Sequence, residues 1–146
     1  MVLDEILKMW SEDSDIDRDG DMAEESIKSA RLHAKYLTLH SQSRLKLGAL
    51  QIKRSELTSK LSAYYKGYLN NPEDLEEMKR PPNPTVLARE LIKPAVDADP
   101  DMIKLTTRIV YQQELVDVLK EIVSAVNKRG YVVKNTIDWI RFTNGG

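Results

Sequence analysis

Nine Lys or Arg residues lie between Ile27 and Asn71 beside a single acid, Glu56, so this stretch carries +8 in a chain whose formal net charge is −1. The bases are Lys28, Arg31, Lys35, Arg44, Lys46, Lys53, Arg54, Lys60 and Lys66. Cations in such a run neutralise phosphates without reading sequence. Toward its end Tyr64, Tyr65 and Tyr68 stand among Lys60 and Lys66, and rings in that company offer platforms on which unpaired bases stack. The chemistry on offer is reversible capture of a polyanion. Single-stranded nucleic acid fits it better than an acidic protein face or a merely solvated surface.

Other chemistries fare worse. Asp15, Asp17, Asp19 and Gly20 open like a calcium loop, but Ser26 stands where the bidentate Glu is required, so the segment reads as a disordered or turn-forming acidic arm. His33 and His40 are two helical turns apart, ~10 Å, too far to chelate one ion together. Asp97, Asp99 and Asp101 read as a helix cap followed by Pro100 in the first turn, so no metal is expected. The chain has no cysteine, which removes disulfides and thiol catalysis and fits a reducing setting. Neither a Walker loop, nor HExxH, nor a nucleophile with base and orienter can be assembled. A binding module without cofactor is expected, not an enzyme.

The elements that must carry the bases are helical. At ~100° per residue, Lys28, Arg31, Lys35, Lys46, Lys53 and Lys60 fall within about 60° of one another on one long helix starting near Asp21 or Met22. Leu32, Tyr36, Leu39, Leu47, Leu50, Leu57 and Leu61 flank this stripe on one side, and Ile27, Ala34, Leu45 and Ile52 on the other. The bases have almost no acids three or four residues away, so the stripe repels itself. Gly48 interrupts the helix, and Gly67 with Asn70, Asn71 and Pro72 ends it.

Residues 1–26 hold ten acids against Lys8 and Arg18, a net −8 that mirrors the basic stretch. Leu3, Ile6, Leu7 and Trp10 predict a short amphipathic helix before the acidic run. The matched charges suggest that the arm either imitates a phosphate backbone and competes for the stripe or offers an acidic handle to a partner protein. The opening MVLDEILKMW carries acids where a secretory signal would carry bases, and no apolar run approaches the ~18 residues of a membrane span. A protein neither exported nor embedded is expected.

All six prolines lie from Pro72 to Pro100, marking residues 72–100 as a connector with at most a short helix around Val86 to Ile92. From Pro100 a further helix is expected to run to Arg129, with Gly130 as its stop. Met102, Leu105, Ile109, Gln112, Val116, Leu119, Val123 and Val126 alternate by three and four, the seam of a coiled coil. Tyr111, Leu115, Val118, Ile122 and Ala125 form a second seam, which calls for another helical neighbour and hence for self-association. Tyr131 to Val133 reads as a brief extended piece, followed by a short helix capped by Asn135 that carries Ile137, Trp139, Ile140 and Phe142. The expected architecture is all-α: acidic arm 1–26, basic helix 27–71, proline-rich connector 72–100 and oligomerisation region 101–146. Leu105, Ile109, Val116, Leu119, Val123, Val126, Trp139 and Phe142 are the candidate oligomerisation residues.

Two stretches resemble the phage recombination mediator family, the UvsY proteins. One runs from Leu32 to Gly67, with HAKYLTLHS and SKLSAYYKG. The other runs from Asp97 to Phe142, with NKRGYVVKNTIDWIRF. The resemblance implies a helical, non-enzymatic subunit that assembles into hexameric or heptameric rings and binds single-stranded DNA. It further implies loading of a phage recombinase onto DNA coated by single-strand-binding protein, in the cytoplasm of the infected host cell. The family's motif is basic, any residue, basic, leucine, any residue, Tyr-Tyr, any residue, glycine. Lys60, Leu61, Tyr64, Tyr65 and Gly67 match it. Thr58 stands at the first basic position, and Ser62 with Ala63 lengthens the spacing by one residue. Lys35, Lys46, Lys53, Arg54, Lys60, Tyr64, Tyr65 and Lys66 are the candidate DNA-binding residues. The rival expectation is an oligomeric coiled-coil scaffold or adaptor whose basic helix meets an acidic protein partner.

Overall fold

All regular structure among the described residues is helical. The computed structural model describes residues 2–69, 71–83 and 86–145, and its order is α1 (Leu3–Asp13), α2 (Met22–Tyr65), α3 (Pro72–Met78), α4 (Arg89–Ala98) and α5 (Pro100–Thr143). Packing divides the chain into two units, Met1–Leu45 with Gln113–Gly146, and Lys46–Gln112. No helix among the described residues is long and apolar enough to cross a membrane.

In the first unit Ile6 of α1, Leu32 and Tyr36 of α2, and Leu115, Leu119, Ile122 and Val126 of α5 form one core. Trp10 meets the Tyr36 ring edge-on at 5.4 Å between centroids. The second seam of α5 therefore finds its neighbour, α1, within the same chain. The first seam is likewise covered: Met102, Leu105, Gln112, Val116, Leu119 and Val126 are buried, with Ile109 and Val123 half-buried.

α5 overturns the expected break after Arg129. It continues through Gly130 and Tyr131–Val133, so neither the extended piece nor a separate helix capped by Asn135 exists. A glycine in a helix costs about 1 kcal/mol relative to alanine. Val126, Arg129 and Val133 are all buried around it, and their packing outweighs that penalty.

In the second unit Leu61, Ile92, Val96 and Met102 form the core, with Leu57, Tyr65, Met78 and Leu87 packed against it. The stretch expected to hold at most one short helix holds two. The Asn71 side chain accepts a hydrogen bond from the Glu73 N–H at 3.0 Å, and Pro72 fills the first turn of α3. α4 tolerates Pro94 inside it because burial of Ile92 and Val96 offsets the missing backbone bond. α2 ends where Gly67 turns to φ +79°, with Tyr68 N–H bonded to Ala63 O at 2.9 Å and Gly67 N–H to Tyr64 O at 3.1 Å. Asp99 follows α4 and caps α5, accepting from the Asp101 N–H at 3.0 Å, as its spacing before Pro100 leads one to expect.

Candidate nucleic-acid interface

The candidate cations fall into separate groups. Lys46, Lys53 and Lys60 recur every seven residues along α2, and all three are exposed. With ~100° per residue, they lie on one flank of the face that buries Leu50 and Leu61 and half-buries Leu57. Lys60 approaches Glu77 at 3.8 Å, whereas Lys46 and Lys53 form no ion pair among the described residues. The apolar edge beyond the stripe stays uncovered, with Leu45 76 % and Ile52 63 % exposed.

Arg54 and Lys66 lie on the other flank. With Thr58 and Ser62 they form a ridge at four-residue steps, and across from it α4 presents Arg89 and Lys93. Between them is a groove of about 440 Å³ whose lining also includes Ile92, Val96 and Asp97. A second depression, which shares Lys66, Arg89 and Ile92 with the groove, is lined further by Tyr68, Val86 and Leu87. The sequence reading missed Arg89 and Lys93. Their four-residue spacing is a one-face signal, but it lay in a stretch read as connector.

The tyrosine pair is built into the second unit. Tyr64 is buried, donates its hydroxyl to Pro81 O at 2.9 Å and has the Arg80 guanidinium 5.2 Å from its ring centroid. Tyr65 is half-buried and donates to Asp99 Oδ2 at 2.7 Å. Arg80 grips Asp99 with both terminal nitrogens, at 2.6 and 2.5 Å, and reaches Asp101 at 2.8 Å. Burial would raise the Asp99 carboxyl, but hydrogen bonds from Arg80, Tyr65 and the Asp101 backbone, with the Arg80 charge, hold it below the ordinary aspartate value. The Asp99 hydrogen bond pushes Arg80 up against the opposing effect of burial. Burial first, then the bond to Asp99, raises the Tyr65 hydroxyl. The ring left outside this network is Tyr68, 79 % exposed.

In the first unit the upper stripe already meets the acidic arm. Lys35 pairs with Asp13 at 2.6 Å, and Lys28 donates to Asp15 O at 3.3 Å. Tyr36 donates to the same Asp13 carboxylate at 2.8 Å. Burial would raise Asp13, but the hydrogen bonds from Lys35 and Tyr36 and the charges of Lys35 and Lys28 bring it below its ordinary value. Burial, then the bond to Asp13, raises Tyr36. Arg129 is buried and donates to the Asp15 and Glu25 carbonyls at 3.0 and 3.1 Å, to Ser29 Oγ at 2.5 Å, and to the Glu25 carboxylate. In the arm, Asp17 accepts from the Asp19 N–H at 3.1 Å, and no group of His, Asp or Glu among the described residues is arranged to hold a metal ion.

Among the candidate oligomerisation residues, Leu119 and Val126 lie in the first unit's core, whereas Trp139 and Phe142 stack on each other at 5.9 Å and remain exposed.

A family model described as "Recombination, repair and ssDNA binding protein UvsY" matches residues 9–146. No curated protein matches the chain. Among solved structures, the bacteriophage T4 recombination mediator protein UvsY in lattice type II is 21% identical and has a TM-score of 0.82, covering 100% of this chain and 99% of that one. Its lattice type IV form is 21% identical with a TM-score of 0.83, covering 97% and 99%. The type I form is 19% identical with a TM-score of 0.81, covering 95% and 98%. These likenesses show a shared fold.

Proposed function

Because the chain belongs to the UvsY family, we propose that it is a recombination mediator that binds single-stranded DNA, acting as an accessory protein without catalysis of its own. The observation that carries this reading is the set of exposed α2 cations in the second unit that form no ion pair among the described residues, Lys46, Lys53, Arg54 and Lys66. They attract phosphates weakly and without regard to sequence. Self-association multiplies such contacts, since each further subunit binds the strand at high effective concentration. The exposed Trp139 and Phe142 pair and the uncovered Leu45 and Ile52 edge support self-association, and the hexameric or heptameric ring is the form that the family resemblance implies for it. Such a ring, in the cytoplasm of the infected host, would loosen single-strand-binding protein and present the strand to a recombinase.

The acidic arm tunes this grip. Asp13 and the Asp15 carbonyl occupy Lys35 and Lys28, groups that a strand would otherwise meet. Titration of fluorescent oligo(dT) with the full chain at increasing salt tests the proposal. Steep loss of affinity with salt supports it, and failure to bind at low salt refutes it.

A further inference from the structure

We infer that the groove between α2 and α4 is a built strand-binding subsite. Phosphodiesters run between Arg54 and Lys66 on one wall and Arg89 and Lys93 on the other, and a base stacks on Tyr68. This rests on the single-stranded DNA reading above and adds residues that the family motif does not contain.

The groove's charge is directed outward to a ligand. Four cations face one carboxylate, Asp97, and none of the four forms an ion pair among the described residues. Arg80 and Arg129, by contrast, are consumed by internal carboxylates. Cations crowded on two facing walls repel one another, and an anion between them relieves that repulsion. The hydroxyls of Thr58 and Ser62 line the α2 wall and can donate to phosphate oxygens. Thr58, which replaces a base in the family motif, thus still faces the anion path.

The ring assignment follows from exclusion within the unit. Tyr64 and Tyr65 have their hydroxyls bonded to Pro81 and Asp99, and Tyr64 is buried. Tyr68 is largely open to solvent and lies along the same depression as Lys66 and Arg89. Cations beside an unobstructed ring are the combination that holds an unpaired strand. An apolar wall of Val86 and Leu87 next to Tyr68 favours a base over a lone phosphate.

The full chain, the double variant Arg89→Ala with Lys93→Ala, Tyr68→Ala and Tyr68→Phe are titrated with oligo(dT), with an abasic oligomer of equal length, and with inorganic pyrophosphate as competitor. Arg89 and Lys93 are exposed, and circular dichroism verifies that the variants remain helical; the charge-keeping pair Arg89→Lys with Lys93→Arg retains binding. The double alanine variant loses about tenfold or more in affinity at low salt, and its salt slope falls by ~0.7 per phosphate contact removed. Tyr68→Ala loses at least about fivefold on oligo(dT) but little on the abasic strand, whereas Tyr68→Phe binds like the parent. Unchanged affinity in the groove variants, with loss in Lys46→Ala, Lys53→Ala and Lys60→Ala combined, overturns the groove and leaves the DNA-binding function standing. Competition by pyrophosphate as effective as by oligo(dT) also overturns it, because the groove would then be a small-anion site. A parent chain that ignores oligo(dT) brings down the function and the groove together.

Discussion

The guanidinium of Arg80 closes on the carboxylate of Asp99 through two parallel hydrogen bonds, at 2.6 and 2.5 Å, with the Asp99 side chain 1 % exposed. This one contact ties the segment after α3 to the start of α5, and Tyr65 brings the end of α2 to the same carboxylate. Removing one partner leaves the other charged and buried, which typically costs about 3–5 kcal/mol. Arg80→Ala and Asp99→Asn should each lower the thermal midpoint by many degrees. Arg80→Lys should recover only part, since an ammonium cannot make the bidentate fork. Equal midpoints for parent and Arg80→Ala would show that the pair is not holding the second unit.

The same contacts set the acid and alkaline limits of stability. The folded carboxyls of Asp99 and Asp13 lie below the unfolded value of 3.8. The stability they contribute is complete above that value and is lost as pH falls below it through the folded values. Tyr36 and Tyr65 are shifted above the ordinary 10.0, so their contribution is complete below pH 10.0 and fades as pH rises beyond it. Chemical unfolding between these limits should therefore show a plateau as far as these four groups are concerned, with falls on both sides. In Asp13→Asn with Tyr36→Phe both limbs should become shallower.

Much of this fold is legible in the residues because local rules and packing agree. Leu32, Tyr36, Leu47, Leu50 and Leu61 recur at helical spacing and are buried, and Asp99 before Pro100 starts α5. Legibility fails where tertiary packing overrides a local signal. Gly130 reads as a stop until the burial of Val126, Arg129 and Val133 is known. The prolines read as a connector, although Pro72 sits where a helix accepts it and Pro94 is held by the burial of Ile92 and Val96. Of the candidate site, the cations could be read but not their partners. Nothing in the sequence tells that Lys35 meets Asp13, or that Tyr65 is claimed by Asp99 from 34 residues away.

Gly130 and Gly48 offer a test of that packing argument. Both lie inside helices, neither has a positive φ, and a Cβ on either would meet nothing within 4 Å. Alanine reduces the freedom of the unfolded chain and should stabilise by about 0.5–1 kcal/mol at each position. For a chain of this size, that is an upward shift of the thermal midpoint of a few degrees, about 2–4 °C. A drop instead would mean that the bare backbone of that glycine is approached by another subunit.

The salt dependence of strand binding separates the cations by their present engagement. Lys46 and Lys53 are without ion pairs among the described residues, and Lys60 has only a loose, exposed approach to Glu77 at 3.8 Å. Exposed pairs of that kind are worth ~0–1 kcal/mol, so Lys60 can turn to a phosphate at little cost. Lys35 must first leave Asp13, which also holds Tyr36. Replacing Lys46, Lys53 and Lys60 by alanine should thus reduce the slope of log affinity against log salt by about 2, at ~0.7 for each lost contact. Lys35→Ala should change it far less. Asp13→Asn should act in the opposite direction, freeing Lys35 and strengthening oligo(dT) binding a few-fold at low salt while lowering stability. Anisotropy titrations across a salt series check all three, and a Lys35→Ala loss as large as that of the triple variant would show that the strand displaces the acidic arm.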